Sequence, residues 1–305
     1  MLKNYKFASI DIGSNAVRLL FCNVLELADE KVQFKKSSLI RVPLRLGENA
    51  FTKGYLDQEK LQKLSKCISA FKNLIDINEV VGYKAFATSA LRNCSNKEEV
   101  IEKIYKETDV LIQLISGTEE AEIISSTNIP RELSTENELL YMDVGGGSTE
   151  LTYKREDFTS NRSFPIGTLR ILYNKPIQSQ WEEISRWLKM NRLIDSKIKM
   201  IGSGGNINKI YKIHRKKNSD RFFSSEEIPE FIEKVKKMSF EERMVKLNLN
   251  TDRADVILPA SQIFDFVLQK TKTEIIFVPK SGLSDGIVRQ LYYAYKNEKF
   301  SKDSL

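Results

Sequence analysis

Apolar and polar positions along the chain fall into two successive series of blocks, each beginning with strand-like runs. Residues 5–12, 16–24 and 32–42 are rich in β-branched and aromatic side chains and read as three strands of a meander. Pro43, Gly47 and Gly54 mark residues 43–54 as a loop. Beyond it, Leu61, Leu64, Ile68, Phe71 and Ile75 recur at helical spacing, which predicts a helix opened by Asp57. Strand-like 80–87, helical 97–106 and strand-like 110–115 complete a βββαβαβ order. The second series starts in the same way, with strands predicted over 139–144, 149–153 and 158–164. A helix over 181–190, a strand over 198–201, several helices to Gln269, a strand over 274–278 and a final helix from Ser284 follow. Both series open with a strand, an Asp, a glycine-containing turn and a returning strand. The pattern predicts an α/β protein built by weak internal duplication, two related domains facing one cleft. The boundary falls within 117–135 and is drawn as 1–120 and 121–288, with a C-terminal helix, 289–305, packing back on the first domain.

Composition narrows the chemistry. With 41% hydrophobic and 29% charged residues over 305 positions, the chain has the makeup of a globular protein of about two domains. No run approaches the ~18 uncharged apolar residues of a membrane helix, and no signal-peptide core precedes Asp11, so a cytoplasmic location is expected. Cys22, Cys67 and Cys94 are scattered, which argues against a disulfide framework and a zinc site. The single histidine, His214, excludes a His-clustered metal centre and disfavours a Ser-His-Asp hydrolase. Catalysis is left to carboxylates, hydroxyls, cations and backbone amides. The balance of 48 basic against 41 acidic residues, +7, suits an anionic ligand.

Three constellations can carry such chemistry. In Asp11-Ile-Gly-Ser-Asn-Ala-Val-Arg18, a tight turn exposes successive amides as an anion nest, with Ser14 and Asn15 as added donors and Arg18 as a cation; the alternative is a hairpin whose Asp11 and Asn15 merely satisfy the turn. In Asp143-Val-Gly-Gly-Gly-Ser-Thr-Glu150, three consecutive glycines need a reason such as close approach to a ligand. Asp143 and Glu150 can hold a hard cation through oxygen, or be two exposed acids on a flexible hairpin. In Ser116-Gly-Thr-Glu-Glu-Ala121, Ser116 with Glu119 matches a capping box, and the alternative is a glutamate serving as general base for water. Arg45, Arg92 and Arg170 are candidate phosphate forks or ordinary surface charges. Ile201-Gly-Ser-Gly-Gly-Asn206 is a second nest or a tight βα turn, and His214-Arg-Lys-Lys217 and Lys234-Val-Lys-Lys237 are solvated helix faces or a basic track.

Taken in order, Asp11-Ile-Gly-Ser-Asn, Ala87-Thr-Ser-Ala-Leu-Arg92, Ile115-Ser-Gly-Thr-Glu-Glu-Ala121, Asp143-Val-Gly-Gly-Gly-Ser-Thr-Glu-Leu151, Ser163…Gly167…Arg170 and Gly202-Ser-Gly-Gly205 resemble the exopolyphosphatase / guanosine pentaphosphate phosphatase (Ppx/GppA) family from residue 7 to about 290. The resemblance implies two ribonuclease-H-like domains of the actin-like ATPase superfamily around an interdomain cleft. It implies Mg²⁺-dependent release of terminal phosphate, with Mn²⁺ as a substitute, from inorganic polyphosphate or guanosine pentaphosphate. By motif, Glu120 would be the base and Glu119 its alternative, since adjacent helix residues diverge by about 100° and the spacing alone does not choose. Asp143 and Glu150, with Asp11, would hold the metal. Ser14, Asn15, Gly145, Gly146, Gly147 and Ser148 would cradle phosphates, partnered by Arg18, Arg45, Arg92 and Arg170. Ala16 departs from the second hydroxyl common in the family. An end at residue 305 resembles the short form without the C-terminal HD-like domain, which predicts weak processivity on long chains. A homodimer is implied by the family alone, and no feature calls for DNA or a membrane as partner. Two other readings stay open: a kinase of the same superfamily, and a non-catalytic sensor of guanosine polyphosphate or polyphosphate.

Overall fold

A computed structural model describes residues 2–27, 31–127, 133, 135–173, 178–214 and 221–303. The chain divides into two compact units, Met1–Ser116 with Leu283–Leu305, and Gly117–Gly282. The division falls four residues before the 120/121 boundary drawn from sequence, so Glu119 and Glu120 belong to the second unit.

The first unit contains β1 (Lys3–Ile12), β2 (Val17–Glu26), β3 (Val32–Val42), α1 (Leu46–Thr52), α2 (Gln58–Ile77), β4 (Gly82–Ala87), α3 (Ser89–Arg92), α4 (Lys97–Thr108) and β5 (Ile112–Leu114). The second contains α5 (Gly117–Ser125), β6 (Glu138–Val144), β7 (Thr149–Arg155), β8 (Phe158–Phe164), α6 (Thr168–Tyr173), α7 (Gln178–Met190), β9 (Met200–Ser203), α8 (Gly205–His214), β10 (Phe222–Ser224), α9 (Glu227–Lys236), α10 (Phe240–Lys246), α11 (Thr251–Ala254), α12 (Ile257–Thr271) and β11 (Ile275–Phe277). The chain returns to the first unit as α13 (Leu283–Asp303).

The sheets share one plan. In the first, the order is β3-β2-β1-β4-β5, antiparallel through the meander and parallel from β1 onward. In the second, β8-β7-β6-β9-β11 repeats it, and β10 adds an antiparallel edge. Alternation along each strand assigns the faces. Leu140, Met142 and Val144 of β6 enter a core with Phe164, Ile207, Phe231 and Phe264. Tyr141 and Asp143 lie on the opposite face, with Glu150, Thr152 and Lys154 facing along β7.

Local chemistry explains most elements and one correction. Asp57 caps α2 by accepting from the Lys60 N–H at 2.9 Å. Residues 43–54 are not a loop throughout: α1 occupies their middle, with Leu46, Gly47, Asn49, Ala50 and Phe51 buried. Burial of Leu46 and Phe51 offsets the cost of a glycine in the first turn, ~1 kcal/mol. The short α3, α6 and β10 are likewise additions to the sequence reading, held by contacts distant in the chain. The final helix begins at Leu283, one residue before the Ser284 start read from sequence, and it belongs to the first unit from 283 rather than 289. Its Val288 and Tyr292 pack on Phe7, Leu20, Cys22 and Val24, the Tyr292 hydroxyl donates to Glu26 at 2.7 Å, and Lys296 pairs with Glu26 at 2.8 Å. No helix among the described residues is long and apolar enough to cross a membrane.

Candidate active site

Each sheet presents a hairpin turn at the end of its central strand. In the first unit, the Gly13 N–H donates to Ala16 O at 3.2 Å, and the outward carbonyls are taken up by the following helix: Gly47 N–H donates to Ser14 O (2.8 Å) and Arg45 N–H to Asn15 O (3.0 Å). Arg45 holds a left-handed conformation, φ 52°, to make that contact. In the second unit, the Gly145 N–H donates to Ser148 O at 3.0 Å, and the carbonyls of Gly145 and Gly146 accept from Thr168, Leu169 and Arg170 at the start of α6. Arg170 Nε donates to Gly147 O at 3.0 Å.

Fixing the carbonyl edge on α6 turns the amide edge the other way. Among the described residues, the N–H groups of Gly146 and Gly147 donate to none, as an anion nest requires. The glycines are needed for closeness. A Cβ on Gly167 would lie 2.5 Å from Gly147 C and 2.6 Å from Gly146 C, so backbone packs directly on backbone.

Asp143 and Glu150 are opposite one another in the β6–β7 register and therefore share a face. Glu150 is buried and Asp143 half-buried. Like charges so placed repel, and each carboxylate is steadied by a serine: Ser203 Oγ donates to Asp143 Oδ2 at 2.6 Å, and Ser163 Oγ to Glu150 Oε1 at 2.7 Å. Gly204, at φ +94°, leaves room for the Asp143 carboxyl, because a Cβ there would meet Oδ1 at 3.0 Å. Two fixed carboxylates facing one another fit a hard divalent cation such as Mg²⁺, which takes one or two protein carboxylates and completes its shell with water and substrate phosphate. Among the described residues there is no cluster of three or more His, Cys, Asp or Glu that could hold a metal ion.

The glutamates of α5 reach the same level. Asn161 Nδ2, opposite Thr152 in the β7–β8 register, donates to Glu122 Oε1 at 3.2 Å. One turn later, Lys154 Nζ donates to Ser125 O at 2.5 Å. Thus α5 runs along β7 in the same direction. Counting back from Glu122 at about 1.5 Å per residue brings its first turn to the height of Glu150. Glu119 and Glu120 occupy that turn. Glu119 is exposed, whereas Glu120 is half-buried with its Oε2 out of contact with solvent. Asp143, Glu150, the Gly145–147 turn, Arg170 and the α5 glutamates are therefore one constellation within one unit.

The remaining predicted residues gather in the first unit and need correction. Asp11 is buried and pairs with Arg18, Nη1 to Oδ2 at 2.5 Å, so an arginine stands where a metal was expected. Arg18 is to that extent a partner of Asp11 before it is a phosphate fork. Arg92 Nη1 donates to Ile115 O at 2.6 Å. It thereby ties α3 to the end of β5, while Thr88 N–H donates to Ile12 O beside the Ser14–Asn15 turn. All three cysteines are buried, and burial pushes each thiol up to about 11, which removes thiolate chemistry at neutral pH. His214 packs between Phe223 and Phe231. Lys234, Lys236 and Lys237 form an exposed helix face; residues 215–217 of the other basic run lie outside the described residues. Sequence reasoning missed Ser203 as the anchor of Asp143, because the β6–β9 register that joins them spans sixty positions.

Relatives share this arrangement of elements. A bifunctional 3-dehydroquinate synthase/phosphatase of Fusobacterium nucleatum is 35% identical over 173 residues, 55% of this chain and 26% of that protein. Exopolyphosphatase 1 of Mycobacterium tuberculosis is 29% identical over 163 residues, 53% of this chain and 46% of that protein. The matched stretch thus spans less than half the length of either relative. Among solved structures, an Aquifex aeolicus member of the Ppx/GppA family aligns at a TM-score of 0.73 and 24% identity, covering 96% of this chain and 99% of its own. An exopolyphosphatase from Cytophaga hutchinsonii aligns at 0.77 and 22% identity, covering 94% and 97%. These likenesses carry the fold, the two-domain actin-like ATPase fold. The model of the Ppx/GppA phosphatase family matches residues 29–293, and the chain belongs to that family.

Proposed function

We propose that the chain is a phosphoanhydride hydrolase that releases terminal phosphate from inorganic polyphosphate. The observation that carries this reading is the facing pair Asp143 and Glu150, each steadied by a serine, beside a triple-glycine turn whose amides point away from α6. Asp143 and Glu150 would hold Mg²⁺, which when bound neutralises charge on the substrate's phosphate oxygens. The Gly146 and Gly147 N–H groups donate to the oxygens of the terminal phosphate. Glu120, at the level of the pair, orients a water and takes its proton as the oxygen bonds to the terminal phosphorus. The bridging oxygen leaves with the shortened chain, and no phosphoenzyme forms. Positioning and electrostatics supply most of the acceleration for such a transition state.

The test is phosphate release with Mg²⁺ from short polyphosphate, long polyphosphate and guanosine pentaphosphate, with Glu120→Gln alongside. The expected result is release from polyphosphate that falls ~10²–10⁴-fold in the variant, the scale of a general base. Preference for guanosine pentaphosphate would reassign the substrate. Tight binding without release would make the chain a sensor, and release only to an added acceptor would make it a kinase.

A further inference from the structure

Beneath the far end of α5, Lys154 of β7 is in an unusual position for a lysine. Its Nζ is directed under the helix, where it donates to Ser125 O at 2.5 Å and lies 5.2 Å from the centre of the Tyr141 ring. The Tyr141 side chain is 4% exposed, and its hydroxyl is buried without a hydrogen-bond partner among the described residues. Facing Lys154 from β8 is Thr159. The acid in that half of α5, Glu122, is held by Asn161. Among the described residues no carboxylate lies within ion-pair distance of Lys154, and burial draws the ammonium below the usual lysine range. A half-buried cation with no counter-ion among the described residues is held at a cost to folding. What compensates it here is the carbonyl end of α5, the negative pole of the helix, and the face of an aromatic ring.

We propose that Lys154 is a positioning residue: it clamps the carbonyl end of α5 to β7 and so sets the height of Glu120 over Asp143 and Glu150. This rests on the role proposed for Glu120. The distance argues for transmission through a rigid element, because Lys154 is four strand positions from Glu150, about 13 Å, and α5 is a nine-residue helix of similar length. Lys154 touches no reacting atom. Its effect is on where the base stands, and a displacement of about 1 Å there costs on the order of 100-fold.

The experiment uses the full chain with Mg²⁺ and short polyphosphate, and compares Lys154→Met, Lys154→Gln and Lys154→Arg with Glu120→Gln. Methionine keeps the volume and removes the half-buried charge. Lys154→Met is therefore expected to unfold at the wild-type temperature or above it, while kcat falls roughly 10- to 100-fold with KM within about twofold. Lys154→Arg, which retains a charged donor, restores part of kcat. Lys154→Gln repeats the measurement if the methionine variant does not fold. Wild-type kcat in Lys154→Met or Lys154→Gln overturns the clamp. So does a kcat that falls only in step with the folded fraction, since that is plain destabilisation. Wild-type activity in Glu120→Gln removes instead the catalytic reading beneath it, whatever Lys154 does.

Discussion

The two hairpin turns follow the same backbone plan and differ in charge, one holding an acid–base pair and the other two acids. Asp11 and Asp143 occupy equivalent places on β1 and β6, and the closing Gly13-to-Ala16 and Gly145-to-Ser148 hydrogen bonds correspond. Across the ladder, however, Asp11 faces Arg18 while Asp143 faces Glu150. The helices over the two faces differ in the same sense. In the first unit, Asp285 in the opening turn of α13 is paired with Lys36 at 2.8 Å, whereas the opening turn of α5 carries Glu119 and Glu120. One turn therefore pairs its acid with a cationic side chain, and the other sets two acids against each other. A single cross-strand position, 18 or 150, separates a turn whose Asp is paired with an arginine from one whose Asp faces a second carboxylate.

That comparison is broken most severely by making the second turn resemble the first. Glu150→Arg would pair with Asp143, and phosphate release should fall on the order of 10²–10³-fold, with no recovery at high Mg²⁺. Next, Gly167→Ala forces a methyl into the backbone of Gly146 and Gly147. Release per folded molecule should drop about 100-fold, as expected when a phosphate cradle shifts by an ångström, and the melting temperature should fall with it, since overpacking costs ~1–3 kcal/mol. Smaller again, Ser203→Ala and Ser163→Ala leave the carboxylates in place but loosen them. Activity titrated against Mg²⁺ should show the half-saturating concentration raised ~10- to 100-fold. The least effect on turnover per folded molecule should come from the first turn. Arg18→Gln strands a buried carboxylate and should lower stability by about 3 kcal/mol in urea titrations. Arg18→Glu should recover part of that loss when millimolar Mg²⁺ is added, and failure to recover any would show that the acid pair alone does not make a cation site.

Much of this was legible in the chain because the relevant signals are local. Strands closed by glycine turns announce themselves by alternation, and Asp143 and Glu150 sit on one hairpin, so their facing follows from turn length. What was hidden depends on distant register or burial. α1 reads as a loop because Pro43, Gly47 and Gly54 outweigh a few apolar residues until Leu46 and Phe51 find a core. The Asp11–Arg18 pair was readable as two candidate ligands but not as a pair, since nothing local says that the arginine turns inward. Ser203 and Lys154 gain their roles only when β9 is laid beside β6 and α5 over β7.

The return of α13 to the first sheet has a consequence for the order in which the molecule is made. On the ribosome, Phe7, Leu20 and Val24 emerge well before the helix that covers them, which is synthesised only after the second unit. The second unit is continuous and can close as soon as its own residues are available. The first must wait through the translation of the whole second unit with an aromatic sheet face uncovered. Nascent chains paused before residue 283 should therefore bind hydrophobic-surface chaperones through their N-terminal sheet, and release should come with the final helix.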